Sequence, residues 1–132
     1  NSHIIITRLL LPYFKTINNG FLIYIGSEAS YKVGKYGSIY SACKFGLRGF
    51  VKSIRIETSL NNIKVTQINP GIVKTPFYNN LKISPGKEHD EFIEPNDIAD
   101  IIINILMMRI GTVIDEINLT SQKQIIKFKS KN

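Results

Sequence analysis

A tyrosine and a lysine stand four residues apart, Tyr40 and Lys44, in the stretch GSIYSACKFGL (Gly37–Leu47). On a helix, residues i and i+4 share a face with Cβ atoms about 5–6 Å apart. An ammonium held there favours the tyrosinate form of a phenol. A phenol so tuned can give a proton to a carbonyl oxygen, or take one from an alcohol, near neutral pH. Ser27 lies thirteen residues before Tyr40, at the end of an apolar run. A hydroxyl at the carboxyl end of a strand can hydrogen-bond the same substrate oxygen and stabilise its developing charge. Each residue also has a plainer reading. Taken alone, Ser27 is a loop residue after a strand, and Tyr40 with Lys44 is a solvated helix face.

The elements that would position these residues are legible in the patterning. FLIYIGS (Phe21–Ser27) is near-continuously apolar and of strand length, as expected of a strand buried on both faces of a parallel sheet. The polar loop EASYKVGKYGS (Glu28–Ser38) leads into a helix expected from about Ser38 to Ser59, where Phe45, Phe50, Val51 and Ile54 recur near helical spacing. IKVTQIN (Ile63–Asn69) has the β-branched content of a second strand, closed by the Pro-Gly turn of PGIVKTPF (Pro70–Phe77). A polar segment runs from there to Glu94 and reads as a mobile loop. EPNDIADIIINILMM (Glu94–Met108) is a third helix, with Pro95 or Asp97 in its first turn, and VIDEINL (Val113–Leu119) a last strand. Upstream, HIIITRLLLPYF (His3–Phe14) is helical, with Pro12 marking an end or a kink.

Helix and strand alternate, so the expected fold class is α/β: a doubly wound parallel sheet of Rossmann type with helices on both faces. Three strands leave the first with an unpaired apolar edge, which predicts further sheet N-terminal to Asn1.

Composition narrows the function classes. The chain of 132 residues is one domain's worth. A single cysteine, Cys43, cannot form a disulfide within the chain, so a reducing, cytoplasmic setting is expected, an organelle remaining open. His3 and His89 are far apart without acidic or thiol neighbours at ligand spacing, which predicts no metal site. The longest apolar runs, such as IIINILMM (Ile101–Met108), fall far short of the roughly 20 residues that span a bilayer, which argues against a membrane role. The net charge of +7 is spread along the chain, with a concentration in the tail QKQIIKFKSKN (Gln122–Asn132). Only Phe128 interleaves those lysines, so nucleic-acid binding is not expected, and the tail reads as a solvated, frayed terminus.

Ser27, then Tyr40-x-x-x-Lys44, then PGIVKT after the next strand together resemble the short-chain dehydrogenase/reductase family. The resemblance runs from TRLLLP (Thr7–Pro12) to DEINLTS (Asp115–Ser121). It implies an oxidoreductase that interconverts a carbonyl and a secondary alcohol by hydride transfer with NAD(P)(H). Tyr40 would be the acid/base, Lys44 its electrostatic tuner and Ser27 the oxyanion partner. The cofactor would lie against Tyr40 and Lys44, with Lys44 holding the nicotinamide ribose. The turn Pro70, Gly71, Ile72, Val73 would face the carboxamide through its backbone, and Thr75 through its hydroxyl. EPNDIADIIINIL and VIDEINLTS look most like the NADP-dependent 3-hydroxy acid (serine-type) dehydrogenases, which favours NADP over NAD; the acyl-carrier-protein ketoreductases come second. Pro76–Ile93 would be the substrate loop, its Phe77, Tyr78 and Leu81 either lining a pocket or packing the loop down. Family members commonly form dimers or tetramers through the first two helices here and the last strand, so the resemblance implies a homo-oligomer.

The sequence departs from the family in one respect. Gly20, Gly26, Gly34 and Gly37 do not make the G-x-x-x-G-x-G turn that binds the dinucleotide pyrophosphate at a helix N-terminus. The family's helix asparagine would fall about two positions before Asn1 when TRLLLP is set against the pattern. Residues 1–132 therefore read as the C-terminal catalytic and substrate half of a reductase domain. The alternative is a truncated, non-catalytic relative that acts by pairing with another subunit.

Overall fold

The computed structural model describes residues 2–35 and 37–129. Five strands and three helices follow one another: α1 (Ser2–Ile17), β1 (Gly20–Ile25), α2 (Ser38–Glu57), β2 (Ile63–Pro70), β3 (Ile83–Ser84), α3 (Pro95–Leu106), β4 (Glu116–Leu119) and β5 (Lys127–Phe128). The sheet of three has the order β1-β2-β4, all parallel, so each connection is a crossover carrying a helix. Gly20 to Ile25 stand opposite Ile63 to Ile68, and Gln67 to Pro70 opposite Glu116 to Leu119. This is the expected doubly wound α/β architecture.

Strand periodicity explains the layering. Leu22 and Tyr24 of β1 and Ile63 and Val65 of β2 point to one face. There they meet Leu11 of α1 and Val51 and Ile54 of α2 in a single buried cluster, with Phe14, Leu47 and Phe50 packed against it. The alternate residues of β2, Lys64, Thr66 and Ile68, point to the other face, where Lys64 Nζ donates to the Arg109 carbonyl just beyond α3 at 3.0 Å. One polar pair sits within the first cluster. The Thr7 hydroxyl donates to the His3 carbonyl at 2.7 Å, so the 2.6 Å bond between Thr7 and Tyr24 must carry the Tyr24 proton. Burial pushes the Tyr24 phenol above its ordinary range.

Two expectations are corrected here. Pro12 does not end the first helix, which continues to Ile17. Proline forfeits one bond to the carbonyl four residues back. That carbonyl belongs to Arg8, an exposed residue, where water can satisfy it. The chain then turns sharply: Asn18 adopts a left-handed φ of 48°, and a Cβ on Gly20 would sit 2.7 Å from the Phe14 ring. Only glycine lets the end of α1 fold back this closely on the start of β1.

The tail is the second correction. Residues up to 129 are not a frayed terminus: β5 pairs antiparallel with β3 inside the segment read as a mobile loop. Residues 130–132, the remainder of that reading, lie outside the described residues. Element bounds shift slightly as well, α2 ending at Glu57 and β4 beginning at Glu116. Among the described residues, no helix is long and apolar enough to cross a membrane.

Candidate functional site

The site forms where β1 and β2 end and α2 begins, the carboxyl side of the sheet on which open α/β folds bind ligands. Gly26 prolongs the pairing by donating its N–H to the Ile68 carbonyl at 2.7 Å. It has no room for a side chain: a Cβ would run into Asn69 Oδ1 and, at 2.6 Å, Gln67 Nε2. Ser27 follows in extended conformation and caps the single turn Glu28–Ser30. Its Oγ accepts from the Ala29 N–H at 3.2 Å, while Ser30 Oγ accepts from the Ser27 N–H at 3.3 Å. The plain reading of Ser27, a loop residue with a local role, is thus true, and it leaves the function open. As an acceptor from Ala29, the hydroxyl keeps its own proton to donate elsewhere.

Tyr40 lies in the first turn of α2, 44% exposed. Lys44, one turn on, donates from Nζ to the Gly26 carbonyl at 3.2 Å, and the same ammonium stands 5.6 Å from the centroid of the Tyr40 ring. The lysine therefore joins the helix to the strand end: one group faces both the tyrosine and the residue before Ser27. This is not a free, solvated face.

Across from it, the turn after β2 is tied down by backbone bonds. Gly71 N–H donates to Leu119 at 2.8 Å, Ile93 N–H to the Ile72 carbonyl at 2.8 Å, and Lys74 N–H to Ile93 at 2.9 Å. Among the described residues the Ile72 N–H makes no hydrogen bond, the Val73 backbone is bonded to the Tyr78 phenol, and Thr75 Oγ1 has only a long contact, 3.5 Å, to Val73 O. A cavity of about 110 Å³ opens beside Gly71 and Ile72, closed by Glu28, Thr120, Ser121 and Ile125. An unused N–H donor on Ile72, which lines this small cavity, suits an amide carbonyl, as the nicotinamide end of a dinucleotide would present. The described residues contain no Gly-rich strand-to-helix turn that would suit its pyrophosphate.

Of the three loop residues, Phe77 is 60% exposed and Leu81 38% exposed, whereas Tyr78 is half-buried. Burial, and after it the charge of the nearby Tyr40, push the Tyr78 phenol above its ordinary range, while a bond from the Val73 backbone opposes them.

A network beneath the site escaped the sequence reading. Glu116 of β4 accepts a two-pronged grip from Arg48 (Nε 2.8 Å, Nη2 3.0 Å) and a bond from Asn69 Nδ2 at 2.6 Å. Asn69 Oδ1 accepts from Gln67 Nε2 at 2.7 Å, and Gln67 reaches Ser30 at 3.4 Å. Arg48 is one helical turn past Lys44, so the network fixes α2 against the strand ends at the height of the candidate residues. The signal was present: Gln67 and Asn69 are amides on the face of β2 where Ile63 and Val65 lie in the core.

The family profile described as short chain dehydrogenase matches residues 1–85. A sepiapterin reductase of Chlorobaculum tepidum is 31% identical over 86% of this chain and 46% of its own length. An NADP-dependent 3-hydroxy acid dehydrogenase of Schizosaccharomyces pombe is 32% identical over 82% of this chain and 44% of its own. The crystal structure of a betaketoacyl-[ACP] reductase from Bacteroides thetaiotaomicron superposes with a TM-score of 0.75 at 26% identity, over 89% of this chain and 47% of that one. The chain thus spans a little under half the length of these relatives. With the sheet order, the Tyr-Lys helix and the Pro-Gly turn in place, the chain belongs to the short-chain dehydrogenase family of NAD(P)-dependent oxidoreductases.

Proposed function

We propose that residues 1–132 are the catalytic and substrate-binding half of a reductase that interconverts a carbonyl compound and a secondary alcohol with NAD(P)(H). The observation that carries this is the placement of Lys44 Nζ, 3.2 Å from the Gly26 carbonyl beside Ser27 and 5.6 Å from the centre of the Tyr40 ring. The bound nicotinamide supplies the hydride, which no side chain can. In the reductive direction Tyr40 gives its phenolic proton to the substrate's carbonyl oxygen, and the Ser27 hydroxyl donates to the same oxygen. The Lys44 ammonium offsets the charge left on Tyr40. In the oxidative direction Tyr40 takes the proton back from the alcohol. Ile72, Val73 and Thr75 hold the carboxamide, Pro70 and Gly71 shape the turn, and Lys44 also meets the ribose. The name of the yeast relative, an NADP-dependent enzyme, favours NADP.

Replacing Tyr40 by Phe in the native polypeptide is expected to cost on the order of 10²–10⁴ in turnover. Near-intact turnover in that variant would overturn the assignment.

A second reading has its own support. Among the described residues β1 pairs only with β2, and α1 leaves Ile5, Ile6, Leu9 and Tyr13 more than half exposed. These surfaces suit more sheet and a second subunit, as in a homo-dimer or tetramer, or in a non-catalytic relative that works by pairing. Light scattering is expected to give the native polypeptide a mass of at least two subunits; a monomer at micromolar concentration would remove the pairing argument.

A further inference from the structure

Residues 120–129 do two things at once. Thr120, Ser121, Ile125 and Ile126 wall the cavity beside Gly71 and Ile72. Beyond them, Phe128 lies opposite Ile83 and Lys127 opposite Ser84, and the Lys129 N–H donates to the Lys82 carbonyl at 2.8 Å. The Lys129 side chain reaches further back along the loop, donating from Nζ to the carbonyls of Tyr78 at 2.6 Å and Asn79 at 2.9 Å. Those carbonyls end the short turn Pro76–Tyr78, which begins at Thr75. Lower down, Lys123 holds Asp90 twice, its N–H on the Asp90 carbonyl and its ammonium on the carboxylate, each at 2.8 Å.

We propose that residues 120–129 form a strap that positions the outer wall of the site. Lys129 is the positioning residue: it holds the turn Pro76–Tyr78, which follows directly on Thr75, and so sets which substrates fit. The proposal rests on the reading of Tyr40 as the acid/base.

The division of labour within the strap points to Lys129. A pair of two-residue strands is marginal by itself, and Lys123 holds Asp90, at the far end of the loop from the Tyr78 turn. An ammonium on two main-chain carbonyls is a stronger, charge-assisted contact. It acts on the backbone of the very turn that carries Tyr78, so its loss frees that phenol while leaving Ser27, Lys44 and the sheet beneath them unchanged.

The test compares Lys129→Ala and Lys129→Arg with the parent in the native polypeptide. Two readouts are taken: hydrogen exchange of the amides of residues 78–84, and steady-state kinetics on carbonyl substrates of graded size. Lys129→Ala is expected to speed exchange there about tenfold, the effect of losing one charged hydrogen bond. It is also expected to raise KM with kcat held within about twofold, the signature of lost binding rather than lost chemistry. Arginine should restore both. Unchanged exchange, faster exchange with KM unmoved, or failure of arginine to restore either would overturn the strap. Exchange is read without turnover: a protein that reduces no carbonyl defeats the oxidoreductase reading, and exchange still decides whether the strap holds the loop.

Discussion

The two sides of the candidate site are held by different physics. Ser27, Tyr40 and Lys44 stand on a sheet edge and a helix start locked by backbone pairing, a buried amide chain and the Arg48–Glu116 grip. The opposite wall, around Tyr78, hangs on lysines that reach over the surface, the side chain of Lys123 being 57% exposed. Groups that must meet a reacting oxygen within tenths of an ångström sit on the rigid side. The side that meets the rest of the substrate is the one that can yield at little cost. On the roles proposed above, chemistry and selection would be separated in the fold, not only in the residue list.

Breaking the rigid side should have the larger effect. Beyond the loss in rate expected of Tyr40→Phe, Gly26→Ala forces a methyl group into Asn69 and Gln67 and should destabilise the fold by about 1–3 kcal/mol. Urea unfolding measures this. A variant as stable as the parent would mean that the polar chain beneath Ser27 is loose, and the contrast between the two walls would fall.

Acidification should act on the yielding side first. The bond from Lys123 holds the Asp90 carboxyl below its ordinary range, and backbone N–H groups of Lys87 and Glu88 do the same for Glu91. A depressed carboxyl stabilises the fold above its unfolded pKa, about 4, and that contribution is lost as pH falls through the lower folded value. Between pH 6 and pH 3, exchange in residues 78–91, corrected for its intrinsic pH dependence, should quicken before the amides of β2 respond. Simultaneous loosening of both would show one cooperative unit where the structure has two.

The rigid side was also the legible one. Tyr40 and Lys44 announced themselves by helical spacing, and FLIYIGS and IKVTQIN by length and apolar content. The parallel order then follows from alternation with helices. What stayed hidden was long-range and polar. β5 is two residues, Lys127 and Phe128, between further lysines, too short for any alternation to show. Its partner β3 is equally short and lies 44 positions upstream, Ile83 to Lys127. Glu116 fell inside the expected strand VIDEINL, and nothing local tells that Arg48 will face it. Of the two readings of Pro12, an end or a kink, the end is the one overturned, because the residue whose carbonyl loses its partner, Arg8, is exposed.

Chain order gives the strap one more consequence. Lys129 grips carbonyls 50 and 51 positions upstream, and Glu116 meets Arg48 across 68. At about 5–20 residues per second of synthesis, the Tyr78 turn waits several seconds on the ribosome before its clasp exists. On the roles proposed above, Ser27, Tyr40 and Lys44 are therefore synthesised well before the residues that clasp the wall opposite them.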